Sequence, residues 1–270
     1  MSLLQRTLAK MKSYQCEECG FRDHRRFGRC PQCDGSNIST TFELPPNPTP
    51  LVALADVGRD PIPSIETGTI FDHITGHGCP LGRVILFYGP PGSGKSHQAR
   101  KLLHALQNGI YFSYEERMEV VKEKFCELGG IDGLTRVFFS TVPFTGDLIT
   151  LKEGVIIVDS LQLGMVEEET LAIGSSRMLI AITAEAMRIV RDHPHLIIVL
   201  IAHETKDAMV AGPRTVEHMV DVAMSIDVRL DGSAAAQDFA DGKPWVPKVI
   251  HSVTIGKNRC GSSGSWDNIS

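Results

Sequence analysis

Residues 84–96 read Val84-Ile85-Leu86-Phe87-Tyr88-Gly89-Pro90-Pro91-Gly92-Ser93-Gly94-Lys95-Ser96. Five apolar or aromatic residues followed by a glycine spell a buried strand, and the next eight match GxxxxGK[ST], the loop that cradles phosphate between a strand and a helix. Glycines at 89, 92 and 94 let the backbone curl so that successive N–H groups point inward, and the helix that follows adds its positive N-terminal end. Lys95 is expected to reach the β- and γ-phosphates and the Ser96 hydroxyl to ligate Mg2+, with Gly89, Pro90, Pro91, Gly92, Ser93, Gly94 and His97 completing an ATP-binding loop. A glycine-rich turn with an incidental lysine is the alternative, and the complete strand–loop–helix context argues against it.

Working outward, short apolar runs recur at 84–88, 110–114, 136–140, 155–159, 196–203, 222–230 and 249–257, with amphipathic stretches at 96–107, 117–128 and 175–191 between several of them. The first of these helices is expected to end at Asn108-Gly109 and the third before Pro194. Alternating strands and helices predict an α/β fold, a mostly parallel sheet with helices on both faces; the last two runs lack a long intervening helix and read as an antiparallel extension. Gly154-Val155-Ile156-Ile157-Val158-Asp159-Ser160 delivers Asp159 to a strand's carboxyl end, where it would hold the water shell of Mg2+; a helix-capping Asp is the alternative. Glu115, just past the run 110–114, is the expected general base for an attacking water, with Glu116 as the second choice. Both also read as first-turn acids of the next helix.

The chain has 270 residues, 42% hydrophobic and 22% charged, which excludes a disordered or fibrous protein and leaves room for one sizeable core and a small module. No run approaches the roughly 18 to 20 apolar residues of a membrane helix and no secretory leader is legible, so the expected location is cytoplasmic with no membrane partner. Three zones follow from composition: a cysteine-bearing module at 1–44, a proline-rich linker at 45–68, and an ATPase core at 69–270. Net charge is −5, yet residues 1–34 hold seven Lys/Arg against four Asp/Glu. Of seven cysteines, Cys16, Cys19, Cys30 and Cys33 form two CxxC pairs whose convergence suits a closed tetrahedral Zn2+ site; a redox dithiol is the alternative. Between the pairs, Phe21–Arg29 carries four arginines and two phenylalanines. These read either as a nucleic-acid surface or as the module's own small core with a solvated face.

With those residues in place, the sequence resembles the RadA/Sms family of bacterial DNA repair ATPases, relatives of RecA and of DnaB-type helicases. The likeness rests on Phe27-Gly28-Arg29-Cys30-Pro31-Gln32-Cys33, on the run from Gly68 to Ser96, on Ala202-His203-Glu204-Thr205-Lys206, on Ala211 to Asp221, and on Lys257-Asn258-Arg259. The last is similar to a KNRFG motif, with Cys260 in place of phenylalanine and Gly261 kept. The resemblance implies a RecA-like P-loop core with an N-terminal zinc ribbon, using ATP, Mg2+ and Zn2+ to act on single-stranded or branched DNA in recombination and repair. It implies that His203 senses the γ-phosphate, although a strand-capping core histidine is the plain alternative. It further implies that Lys206 and Arg214 lie in a DNA-facing loop, that residues 231–248, rich in alanine and acid, form a second loop, and that Lys257 and Arg259 act as fingers on a neighbouring subunit's triphosphate in a ring or filament. The family usually continues into a Lon-like domain that scaffolds rings, and this sequence ends at Ser270, so a short form without that scaffold is expected. A RecA-class strand-exchange recombinase and a nucleotide-gated protein-interaction module are the rival readings.

Overall fold

The computed structural model describes residues 12–23, 27–42, 62–166, 171–204, 214–231 and 248–267, and the chain falls into two compact units, Met1–Asp60 and Pro61–Ser270. In the first unit β1 (Lys12–Cys16) lies between β2 (Arg22–Asp23) and β3 (Ile38–Phe42), antiparallel to both.

The second unit opens with β4 (Ser64–Ile65) paired to β5 (Cys79–Pro80), so that 64–65, inside the proline-rich stretch, are strand residues. There follow β6 (Arg83–Gly89), α1 (Lys95–Leu106), β7 (Asn108–Ser113), α2 (Met118–Glu127), β8 (Arg136–Ser140), β9 (Glu153–Asp159), α3 (Ser176–Asp192), β10 (His195–His203), α4 (Arg214–Met219), β11 (Val222–Asp231), β12 (Lys248–Asn258) and β13 (Gly264–Asp267). Eight strands make one sheet in the order β13-β12-β11-β6-β10-β9-β7-β8. All neighbours from β11 to β8 run parallel, and β12 and β13 extend the sheet antiparallel. The expected α/β class and antiparallel extension are both present.

Period-two alternation assigns each strand residue to a face. Val84, Leu86, Ile156, Val158, Ile198 and Leu200 pack against α3 through Met178, Ile182, Ala186 and Ile189. Ile85, Phe87, Tyr111, Ile157 and Val199 pack against α1 and α2 through Ala99, Leu102, Val121 and Phe125. Ser175 caps α3, its hydroxyl accepting from the Met178 N–H at 3.2 Å.

One helix ends where the sequence placed its end, but the residues that follow have a different role. Helix α1 stops at Leu106, with Gln107 in the left-handed region (φ 51°), and Asn108-Gly109 begins β7 instead of ending the helix. The reason is packing: a Cβ on Gly109 would lie 2.0 Å from the carbonyl oxygen of Val155 on the paired strand. The glycine serves a close strand contact, whereas the sequence suggested a helix stop.

Candidate functional site

The loop 89–94 leaves the sheet from a central strand, β6, flanked by β10 and β11. Gly92 and Gly94 hold φ of 79° and 90°, conformations that favour glycine, and nothing lies within 4 Å of where a side chain would stand on either. Gly94 is the N-cap of α1 and offers no side-chain cap, so the first amides of this 12-residue helix are unspent. The Ser93 hydroxyl is buried without a hydrogen-bond partner. Lys95, only 4% exposed, folds back onto the loop, its Nζ donating to the carbonyls of Gly89 (2.9 Å) and Pro90 (2.7 Å). Burial lowers the Lys95 pKa, opposed by the carboxylates of Asp159, Glu115 and Glu204. His97 points to the surface one residue beyond Ser96, and burial with nearby Lys101 and Arg100 lowers its pKa.

Asp159 ends β9, two strands from the loop, and is 3% exposed. Burial pushes its carboxyl above the ordinary aspartate range, against the hydroxyls of Tyr111 and Ser96, which favour the carboxylate. Glu115 follows β7 in a turn where the Glu116 N–H donates to the Ser113 hydroxyl (3.1 Å), which in turn donates to the Glu116 carbonyl (2.9 Å). His203 ends β10 in register with Gly89, and its Nε2 lies 2.9 Å from Glu115 Oε1. The Glu204 N–H donates to the Gly89 carbonyl at 3.2 Å. The parallel sheet thus gathers Lys95, Ser96, Asp159, Glu115 and His203 at the carboxyl ends of its central strands. In this arrangement a hard-oxygen pair lies next to an anion-binding loop, and a carboxylate is held in place by an imidazole.

Glu116 lies elsewhere. It precedes α2 and pairs with the buried Arg100 at 3.3 Å and with the half-buried Lys124, so it belongs to an ion network beside α2 rather than to the cleft. Three site residues escaped the sequence reading. Tyr111 and Arg100 look like core and helix-surface positions, and only the tertiary packing brings the phenol and guanidinium to Asp159. Glu204 follows β10 by one residue, and it is one of the carboxylates acting on Lys95.

Lys257 and Arg259 sit apart from this cluster. Lys257 is level with Ala223 on β11 and hence with Leu86 on β6, three residues short of Gly89. Its Nζ donates to the Glu217 and His218 carbonyls (2.8 Å each) at the end of α4, and Arg259 pairs with Asp221 at 3.5 Å. Both cations therefore touch their own chain. Arg214 opens α4, while its side chain, Lys206 and positions 232–247 lie outside the described residues.

In the small unit the Sγ atoms of Cys16, Cys19, Cys30 and Cys33 lie within 4.8 Å of one another. Burial opposes it, but the Cys33 and Gln32 backbone amides and the neighbouring thiols bring Cys30 down to about 7. The Gly35 amide pulls Cys33 down, yet the Cys19 thiol, burial and the other thiols push it up to about 12. Four soft donors at this spacing fit one tetrahedral Zn2+, which would relieve the repulsion that keeps the thiols from ionising together. Phe21 and Phe27 pack edge to face, ring centres 5.7 Å apart, which makes them part of the module's packing. Arg29 is exposed and pairs with Asp34 at 3.1 Å.

Strand–loop–helix, the acid-tipped β9 and the sheet order together define a RecA-like P-loop ATPase fold, joined to an N-terminal zinc ribbon with four cysteines. The rubredoxin metal binding domain family matches residues 14–37. The chain is 29% identical over 235 residues to the protein named DNA repair protein RadA from Streptococcus pyogenes serotype M6, which covers 80% of this chain and 52% of that protein. It is thus homologous to proteins of that name and spans about half the length of the curated relatives it matches. Among solved structures, the KaiC-like protein PH0186 from Pyrococcus horikoshii OT3 superposes with a TM-score of 0.55 at 16% identity, over 77% of this chain and 94% of that one. A second solved structure, an ATPase domain, gives a TM-score of 0.54 at 15% identity, over 79% of this chain and 89% of that one. No helix among the described residues is long and apolar enough to cross a membrane.

Proposed function

We propose that this protein is a DNA-dependent ATPase of recombination and repair, which hydrolyses ATP to remodel or branch-migrate single-stranded or branched DNA intermediates. The observation that carries the reading is the convergence of Lys95, Ser96, Asp159, Glu115 and His203 at the carboxyl ends of the central strands, beside a glycine loop that opens a helix with no side-chain cap. Residues 89–97 wrap the triphosphate, and Lys95 exchanges its contacts with Gly89 and Pro90 for phosphate oxygens. The Ser96 hydroxyl and Asp159 carboxylate form a hard-oxygen donor set that fits Mg2+, which when bound neutralises developing phosphate charge. Glu115 orients and deprotonates the attacking water. His203, bonded to Glu115, reports the state of the γ-phosphate to the segment carrying Glu204, Lys206 and Arg214, where the two cations meet DNA phosphates. The ribbon holds Zn2+ through its four cysteines.

Assembly belongs to the same reading. In a ring or filament Lys257 and Arg259 exchange their contacts with α4 and Asp221 for the neighbouring subunit's triphosphate. Support for DNA as the partner comes from the homologues, which are named DNA repair protein RadA.

The test is the steady-state ATPase rate with and without single-stranded DNA over a range of protein concentrations, in the wild type, Lys95→Ala and Lys257→Ala. A DNA-stimulated rate that rises more than proportionally with protein and is lost in both variants is expected. A slow rate proportional to protein and indifferent to DNA overturns the DNA-dependent motor in favour of a nucleotide-gated interaction module.

A further inference from the structure

A phenol is buried beneath the site where an aromatic without a polar atom would fill the core equally well. Tyr111 is 1% exposed, and its ring lies among Val121, Phe125 and other residues on the α1/α2 face of the sheet. It packs edge to face on Phe125 at 6.2 Å between centres. On the adjacent positions of the same strand, Ile110 and Phe112 face the other core and carry no polar atom. A buried hydroxyl is costly unless it is used.

The Tyr111 hydroxyl is used on both sides. Its oxygen accepts from Arg100 Nη1 at 3.2 Å, and its O–H donates to Asp159 Oδ2. The direction of this chain is not adjustable. A guanidinium can only donate and an ionised carboxylate can only accept, so the phenol must pass its proton's hydrogen bond toward Asp159. Arg100 is held in turn by Glu116 Oε2 at 3.3 Å, and Glu116 by Lys124 of α2. The chain Lys124, Glu116, Arg100, Tyr111, Asp159 therefore runs from the partly exposed Lys124 of α2 to the acid at the tip of β9, with a neutral phenol between the guanidinium and the carboxylate.

We infer that Tyr111, oriented by Arg100, is a positioning residue for Asp159: it occupies Oδ2 and leaves the other carboxylate oxygen to serve Mg2+ together with Ser96. This rests on the magnesium reading of Asp159 given above. Outer partners of ligating carboxylates fix which lone pairs face the ion, and their loss typically weakens metal binding by about 10- to 100-fold. Neither Tyr111 nor Arg100 need touch nucleotide to have this effect.

The experiment titrates Mg2+ into the full chain with a fluorescent, slowly hydrolysed ATP analogue and follows binding rather than turnover. In Tyr111→Phe the Mg2+ concentration at half-saturation is expected to rise about tenfold, while affinity for the analogue in EDTA stays close to wild type and the melting temperature falls, because Arg100 and Asp159 each lose a buried partner. Glu116→Gln, which loosens Arg100 from a partly exposed position, is expected to move the Mg2+ midpoint in the same direction by less. A folded Tyr111→Phe with an unchanged midpoint overturns the inference. Should Tyr111→Phe fail to fold, an unchanged midpoint in Glu116→Gln overturns it. A wild type whose binding is indifferent to Mg2+ overturns the magnesium reading itself, an outcome distinct from variants that match a magnesium-dependent wild type.

Discussion

His203 Nε2 and Glu115 Oε1 lie 2.9 Å apart although 88 residues separate them in the chain. One ends β10, the other follows β7, and β9 with its terminal Asp159 runs between them, so the contact spans the mouth of the site. His203 is also in register with Gly89, where the phosphate loop begins.

Glu115→Gln is therefore expected to lower ATP turnover by about 100-fold or more while leaving nucleotide affinity within about twofold, since a general base acts in the transition state and not in binding. His203→Ala is expected to produce a smaller loss of turnover and to abolish any stimulation by DNA. Steady-state kinetics beside equilibrium nucleotide binding check both.

The same contact has a pH signature. Burial pushes the Glu115 carboxyl up, but the Ser160 hydroxyl, the His203 imidazole and the Lys95 ammonium outweigh it, so the group titrates below the ordinary glutamate value of 4.5. A folded pKa lower than the unfolded one means stability that is fully present above about pH 4.5 and lost as pH falls through the depressed folded value. Acid unfolding followed by circular dichroism is expected to begin at higher pH in His203→Ala than in wild type.

Lys257 caps the carbonyl end of α4, which ties down the strand carrying Arg259. Removing the ammonium in Lys257→Ala is expected to cost about 0.5 to 1 kcal/mol of stability. The finger role predicts more: mixing Lys257→Ala with Lys95→Ala chains should restore part of the ATPase rate, because mixed boundaries pair an intact phosphate loop with an intact Lys257. Absence of any recovery in the mixture would confine Lys257 to the helix cap.

Gly109→Ala is expected to destabilise the protein by about 3 kcal/mol, because its Cβ must push β7 away from the Val155 carbonyl in the middle of the sheet. Chemical denaturation measures the shift.

For the ribbon, a strong chelator is expected to strip Zn2+ and unfold the small unit, and Cys30→Ser to prevent binding. Ligation requires thiolates, so release should grow as pH falls. Metal release assayed by a colorimetric chelator, with nucleotide binding measured on the same sample, checks this.

Much of this protein was determined by sequence order alone. Strand periodicity, the glycine spacing of 89–94 and the two CxxC pairs are local patterns, and local sterics and donor spacing suffice to read a parallel core, a phosphate loop and a four-thiol cluster. The strands at 84–88, 136–140 and 196–203 and the three long helices lie where those patterns placed them, within two residues at each end. Only the tertiary structure decided which side chains meet. Asn108-Gly109 looked like a helix stop because glycine marks both a turn and a close strand contact, and the difference lies in Val155, on a strand far along the chain. Glu115 and Glu116 are adjacent and chemically alike, yet one faces His203 and the other Arg100, since neighbouring residues in a turn point into different neighbourhoods. Tyr111 lies in the apolar run 110–114 and is buried in the core. That its hydroxyl also holds Asp159 follows from the sheet order, which sets β7 beside β9 and lets α1 drop Arg100 onto the pair.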